Sequence, residues 1–522
     1  MTASVLVPTR RPLRAVLRSL LAGLLWLSPA RAAEQLEVRL DGLRLPIDLV
    51  ALEAWSRSPA DVDGDLRAWL DLLDPRGREQ LRRVLRAPLV QDRSFAQQFL
   101  ASWAGQRVLE ELDQLISTEQ GSSAGPLLFQ TLQELLARQS QVTTIELLRA
   151  VPSQNLVLNL DGGLELAAQW RNQIVAQSAA LQALQQLRLR QVSQSWPALT
   201  SDSAPAPRAE RLQLPVAHRR QPLELQIWPG SRPAWVLLSP GLGGSAAQLE
   251  WLAAGLQQRG WPVLLLDHPG SDERAMRELL EGRRPPPGAE TLSERVLDLQ
   301  AVVRAVDQGA LPRLGEQVVL MGHSLGGLSS LLAAGLRPEP GLARRCARAL
   351  DGIPLTNLSR LLQCQLRDVS LPPAQPLAQP LQAVVSLNGF GSLLWPHRGL
   401  RALPAPMLLV GGSLDLITPP LGEQLQLFLR ESQPQSRLVL LEGGSHFSPV
   451  RIDRQEQALF QLGEEFVGVE PQRVQALTLG LTADFLSTLP KGISPQRRQL
   501  GGVTAYVLNR RQAESWSDAL KN

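Results

Sequence analysis

From Arg211 onward the chain alternates short, continuous apolar runs with amphipathic segments, and this alternation constrains its fold more than any other feature. The runs cover 223–228, 235–238, 263–266, 318–321, 383–387, 407–410 and 438–441. Most are apolar at every position, which a strand requires when both of its faces are covered. Segments with helical spacing lie between them, notably 246–259, 292–306 and 325–336. The pattern predicts an α/β chain: a mostly parallel sheet, helices on both faces and right-handed crossovers.

The fourth run leads directly into Gly322-His323-Ser324-Leu325-Gly326-Gly327, and a helix follows. A G-x-S-x-G sequence is weak by itself. Between a buried strand and a helix it predicts a sharp turn that lifts the Ser324 hydroxyl above the sheet at a helix N-terminus, where developing negative charge is favoured. A hydroxyl becomes a competent nucleophile only when a base takes its proton, so a histidine and an orienting acid must follow. The sixth run ends in Gly411-Gly412-Ser413-Leu414-Asp415, and the seventh in Glu442-Gly443-Gly444-Ser445-His446.

Of the five histidines, His218 and His397 fall in linker or surface contexts, His268 follows the third run and His323 sits inside the turn motif. Only His446 follows both the serine and the acid after a late strand. Ser324, Asp415 and His446 are therefore expected as nucleophile, orienting acid and base. A tetrahedral oxyanion needs two backbone N–H donors. Leu325, next to the nucleophile, supplies one. Leu242, in Ser239-Pro240-Gly241-Leu242-Gly243-Gly244, is the candidate for the other, the alternative being an ordinary glycine-rich turn.

The stretches 238–245, 266–272 (Leu-Asp-His-Pro-Gly-Ser-Asp) and 322–327 together resemble the α/β-hydrolase branch of the platelet-activating-factor acetylhydrolases and predicted dienelactone hydrolases. The resemblance covers about residues 211–466. The 160 or so residues before it are similar to the helical domain that accompanies exported hydrolases of this kind in cyanobacteria. It implies an α/β-hydrolase fold, Ser324 as nucleophile with Asp415 and His446, and Leu242 with Leu325 as oxyanion donors. Two departures stand out. The branch usually begins its oxyanion loop His-Gly where this chain has Pro240-Gly241, and true dienelactone hydrolases carry a cysteine where this chain has Ser324.

The expected activity is hydrolysis of carboxylic esters, lipid-type esters included, through an acyl-enzyme with no metal or organic cofactor. Acyl transfer on the same three residues is one alternative, and a non-catalytic exported binding protein is another. Dehalogenases and epoxide hydrolases place aspartate at the turn, and the latter usually use two tyrosines; this chain has Ser324 and one tyrosine, Tyr506.

The 522 residues are 44% hydrophobic and 20% charged, which excludes disordered, collagen-like and polytopic membrane chains. The formal charge of +4 is no sign of nucleic-acid binding, because residues 1–32 hold five arginines and no acid, leaving the rest near −1. That segment reads as an export signal: basic residues through Arg18, an apolar run over 20–27 too short to span a bilayer, and Ala30-Arg31-Ala32 as cleavage site. An uncleaved anchor is the alternative, and Arg10-Arg11 leaves Sec and twin-arginine export both open. The mature protein is expected in the periplasm or outside the cell, with no transmembrane segment and an open oligomeric state. There Cys346 and Cys364 read as a disulfide, with two buried free thiols as the alternative.

Residues 33–200 are expected to form a mainly helical domain, 201–210 a linker, 211–470 the α/β domain with a cap over 337–381, and 471–522 a C-terminal extension.

Overall fold

The computed structural model describes residues 33–59, 64–71, 73–90, 98, 102–119, 124–139, 141–193, 209–350, 357–451 and 470–521. The export signal expected over 1–32 and most of the linker expected over 201–210 lie outside the described residues. The chain divides into two compact units, one of residues 1–100 and 106–164, the other of residues 101–105 and 165–522.

The first unit is mainly helical and also holds two small sheets. β1 (Gln35–Leu40) pairs antiparallel with β2 (Leu43–Asp48) through a turn in which Asp41 and Gly42 both have positive φ. Helices α1 (Leu49–Arg57), α2 (Asp65–Leu70) and α3 (Pro75–Arg86) precede the short β3 (Pro88–Val90). Then come α4 (Trp103–Leu115), β4 (Ile116–Thr118), α5 (Gly125–Leu136), β5 (Val142–Thr143), α6 (Thr144–Ala150) and β6 (Asn155–Asn159). One sheet runs β2-β1-β6-β4, and β3 pairs with β5. Side chains cap three of the helices: Asp48 accepts from Val50 and Ala51 at α1, Asp74 accepts from Gly77 at α3, and Thr143 and Glu146 form a reciprocal capping box at α6. Leu36, Val38, Leu49, Trp55, Leu128, Ile145 and Leu156 form the core.

The helix α7 (Leu160–Gln185) begins in the first unit and ends in the second. The second unit then runs β7 (Arg190–Ser193), β8 (Glu210–Leu214), β9 (Leu223–Trp228), β10 (Ala234–Ser239), α8 (Glu250–Gln257), β11 (Val263–Leu266), α9 (Glu273–Leu280), α10 (Leu292–Asp307), β12 (Gln317–His323) and α11 (Leu325–Ala333). It continues with α12 (Leu342–Ala349), α13 (Ser359–Gln365), β13 (Leu381–Leu387), β14 (Met407–Gly412), α14 (Gln424–Phe428), β15 (Arg437–Leu441), α15 (Pro471–Ser487), β16 (Gln496–Leu500), β17 (Val503–Leu508) and α16 (Arg510–Ala519).

These strands make one sheet in the order β7-β16-β17-β15-β14-β13-β12-β10-β11-β9-β8. The six from β15 to β11 are parallel, and antiparallel strands flank them on both sides. All seven apolar runs are strands. Their successive residues point to opposite faces, so strands covered on both faces are apolar throughout, while β9 keeps Glu224 exposed. Leu237, Leu264, Leu320, Val384 and Leu409 pack with α10 and α11, while Val236, Leu265, Val319, Val385 and Leu408 pack with α8 and α15.

Two boundaries differ from expectation. The expected domain over 33–200 reaches too far, since Ala180 and Leu184 of α7 are buried in the core of the second unit and β7 pairs with β16. The C-terminal extension expected over 471–522 is part of the α/β fold: β17 pairs with β15, α15 covers one face, and Trp516 of α16 donates to the Ala180 carbonyl at 2.8 Å. In the first unit β1 shows the apolar-polar alternation of a strand in Leu36-Glu37-Val38-Arg39-Leu40, whereas β3, β4 and β5, of two or three residues, are too brief for a period to stand out. Within the expected cap, Cys346 of α12 and Cys364 of α13 are joined by a disulfide.

Trp516→Ala is expected to destabilise the protein by about 3–5 kcal/mol in urea titration, the cost of emptying a buried aromatic site. A loss below about 1 kcal/mol would mean that α16 is not part of the core.

Candidate active site

The turn after β12 is held by backbone contact on both sides. A Cβ on Gly322 would lie 2.2 Å from the Gly326 carbonyl carbon, and one on Gly326 would lie 2.3 Å from the Ser239 oxygen. Both motif glycines are therefore required by space. Ser324 sits between them at φ 52° and ψ −116°, a conformation rare for a residue with a side chain, and its amide donates to Leu387 O at 2.8 Å. The result places Ser324 at the N-terminus of α11 with its side chain 7% exposed.

His446, 6% exposed, faces it from the loop after β15. Its Nε2 is 3.0 Å from Ser324 Oγ and its Nδ1 is 2.9 Å from Asp415 Oδ2. An ionised carboxylate only accepts, so Nδ1 carries the proton and the Nε2 lone pair faces the serine hydroxyl. Asp415 is fully buried. Burial pushes its carboxyl pKa up, but the facing His446 and hydrogen bonds from Asn388 and Thr418 outweigh that and hold it down at about 2. Asn388 Nδ2 and Thr418 Oγ1 reach Oδ2 at 2.7 and 2.6 Å, and the amides of Ile417 and Thr418 reach Oδ1 at 2.9 and 2.7 Å. A buried anion so fully satisfied is fixed in place as well as in charge.

The structure thus brings together Ser324, Asp415 and His446. Leu325 is the first residue of α11, so its N–H has no partner within the helix. Among the described residues the Leu242 amide has no backbone acceptor, whereas the next amide, Gly243, donates to Ser271 O at 2.8 Å. Gly241 lies against the nucleophile: a Cβ there would sit 3.4 Å from that of Ser324.

Several residues beside the three are not read from sequence. Asn388 follows β13, so the habit of functional residues to sit at strand ends could have found it, and it has the positive φ that asparagine tolerates best. His323 is more than a filler in the motif. Its Nε2 donates to the His446 carbonyl at 2.8 Å, and burial, with the nearby His446, drives its pKa down to about 3.

His218 and His268 belong to a second histidine–carboxylate cluster rather than to a linker and a plain strand end. His268, fully buried, joins Ser239 Oγ to Asp298 Oδ2, both contacts at 2.8 Å, and Asp298 also meets His218 and Arg219. This Ser239–His268–Asp298 chain copies the connectivity of the first. Ser239 is wholly buried at the end of a regular strand, so no substrate reaches it.

The expected cap is tied to the acid loop through Glu423. This buried carboxylate accepts from Asn357 and Gln363 of the insertion at 2.7 and 3.0 Å and from the Gly391 and Ser392 amides at 2.9 Å each. The Ser359 amide donates to Ile417 O at 3.0 Å. Residues 351–356 of the insertion lie outside the described residues.

Residues 236–461, the parallel sheet and all three site residues, match the family described as "Alpha/beta hydrolase family". The second unit has the α/β-hydrolase fold. Residues 32–159, most of the first unit, match a family described as "Alpha/beta hydrolase of unknown function". A 116-residue stretch is 34% identical to "Putative carbamate hydrolase RutD" of Caulobacter segnis, spanning 22% of this chain and 38% of that one. A dienelactone hydrolase from Anabaena variabilis is a structural neighbour at 18% identity and TM-score 0.32, covering 54% of this chain and 99% of its own.

Because folded His323 stays neutral down to about pH 3 while an unfolded imidazole takes up a proton near 6.5, the unfolded state binds the extra proton between those values. Stability from this residue is complete above about pH 6.5 and is lost as pH falls. The stability of the native protein relative to His323→Gln is expected to shrink by about 1.4 kcal/mol for each pH unit from 6.5 towards 4. A pH-independent difference between the two in urea titration would contradict the assignment of a neutral, buried His323.

Proposed function

We propose that this α/β hydrolase cleaves carboxylic esters through an acyl-enzyme on Ser324. The observation that carries the reading is the continuous contact Asp415–His446–Ser324, with distances of 2.9 and 3.0 Å. Ser324 Oγ attacks the ester carbonyl carbon as His446 Nε2 takes its proton. The carbonyl oxygen becomes an anion facing the amides of Leu242 and Leu325. On collapse, His446 returns the proton to the leaving alcohol and the C–O bond to it breaks. Water then repeats the sequence, its proton passing through His446 to Ser324 as the acid departs. Asp415 holds the imidazole tautomer and stabilises the imidazolium that forms in each step.

A serine aligned with its base supports an enzyme over a non-catalytic binding protein, and the hydrolase families matched support water as acceptor over a second alcohol. The choice of ester over carbamate rests on the serine nucleophile and the resemblance to acetylhydrolases, so a carbamate belongs in the substrate panel beside lipid-type and simple esters. Action outside the cytoplasm is part of the same proposal, supported by the signal-like residues 1–32 and by the Cys346–Cys364 disulfide, a bond that persists in oxidising compartments.

Ser324→Ala is expected to lower kcat on p-nitrophenyl esters by at least about 10³-fold and to abolish labelling by a fluorophosphonate, while Asp415→Asn loses about 10³–10⁴-fold with labelling slowed. Full turnover by Ser324→Ala would end the proposal, and a carbamate preferred over every ester would replace its substrate class.

A further inference from the structure

The oxyanion loop is gripped from beneath by one fully buried cation. Arg295 projects from α10 and donates Nη1 to Pro240 O at 2.9 Å, Nη2 to Gly241 O at 2.8 Å and to Ser271 O at 3.2 Å, and Nε to Ser271 Oγ at 2.7 Å. The Gly241 carbonyl and the Leu242 N–H are opposite ends of one planar trans peptide, so a donor that fixes the first fixes the direction of the second. A cation on the carbonyl also draws electron density from the peptide and makes its N–H a stronger donor.

One turn further along α10, Asp298 orients His268, and the neutral imidazole accepts from Ser239 Oγ at the start of the same loop. Burial lowers the His268 pKa to about 4, which keeps it in that form. The loop is therefore anchored at Ser239, Pro240 and Gly241 by side chains of, or oriented by, a single helix. Among the described residues the Leu242 amide has no backbone acceptor, whereas those of Gly243 and Gly244 do.

We infer that Arg295 is the positioning residue of the oxyanion hole, acting through the Gly241–Leu242 peptide on the tetrahedral intermediate without touching it. This rests on the reading of Ser324 as an acyl-enzyme nucleophile. It also accounts for the loop's lacking the leading histidine of its resembled branch: here the support comes from α10.

The test compares the native protein with Arg295→Met, Arg295→Lys and Ser271→Ala, measuring kcat and KM on p-nitrophenyl acetate and Ki for an alkyl trifluoromethyl ketone, which forms the tetrahedral adduct on serine. Arg295→Met is expected to lose about 10² in kcat with KM within about threefold, and Ki is expected to rise by the same factor as kcat/KM falls. Arg295→Lys should recover part of both. Ser271→Ala keeps the guanidinium and the helix, so it remains a test if Arg295→Met does not fold; its smaller loss in kcat should again be matched by Ki. Variants that fold with native kcat, or that lose kcat while Ki stays fixed, overturn the role of Arg295 alone. A native protein as slow as Ser324→Ala and indifferent to the ketone overturns the Ser324 reading, and this inference with it.

Discussion

The contact between His446 Nε2 and Ser324 Oγ joins side chains 122 residues apart, and the surrounding architecture fixes both ends. On the serine side, two glycines allow backbone to meet backbone at the end of β12, and the positive φ of Ser324 is tolerated because its neighbours leave it no other course. On the histidine side, Asp415 takes Nδ1 while His323, from inside the serine motif, holds the His446 carbonyl. The nucleophile's own motif thus helps to place its base. Parallel pairing of β12, β13, β14 and β15 brings Ser324, Asn388, Asp415 and His446 to one end of the sheet.

Two histidine–carboxylate chains lie in this unit, and their contrast says what separates catalysis from support. Asp298 and Asp415 are both buried, both joined to an imidazole Nδ1 and both held below the ordinary carboxylate range by their partners. Ser239 is sealed within a strand end and orders a loop. Ser324 is lifted by a positive-φ turn to the N-terminus of α11, where its hydroxyl faces His446 Nε2. The same three residue types stand in both places, and the backbone at the serine differs: a regular strand end at Ser239, a positive φ at Ser324.

Much of this was legible in the sequence. The seven apolar runs, the serine turn, the order of serine, acid and histidine and the pairing of Cys346 with Cys364 follow from composition and spacing. The rest was hidden for physical reasons. Strands β16 and β17 are read poorly because Gln496-Arg497-Arg498-Gln499 looks like surface, although Gln496 and Arg498 are buried beside β17. The short strands of the first unit carry too few residues to show a period. Arg295 looks like one more charged residue on an amphipathic helix, and only the folded loop shows that its three donor nitrogens all meet acceptors in the interior. Asn388 and His323 serve the site through bonds to Asp415 and His446, 27 and 123 residues away, which spacing along the chain cannot express.

The central claim is that Ser324 becomes acylated. Its most direct measurement is mass spectrometry of protein mixed with a p-nitrophenyl ester and quenched in acid within the first turnover, followed by peptide mapping. A mass increase of one acyl group is expected on the peptide containing Ser324, absent from Ser324→Ala and disappearing as substrate is exhausted. Turnover with no adduct on that peptide, or with the acyl group on another residue, would contradict it.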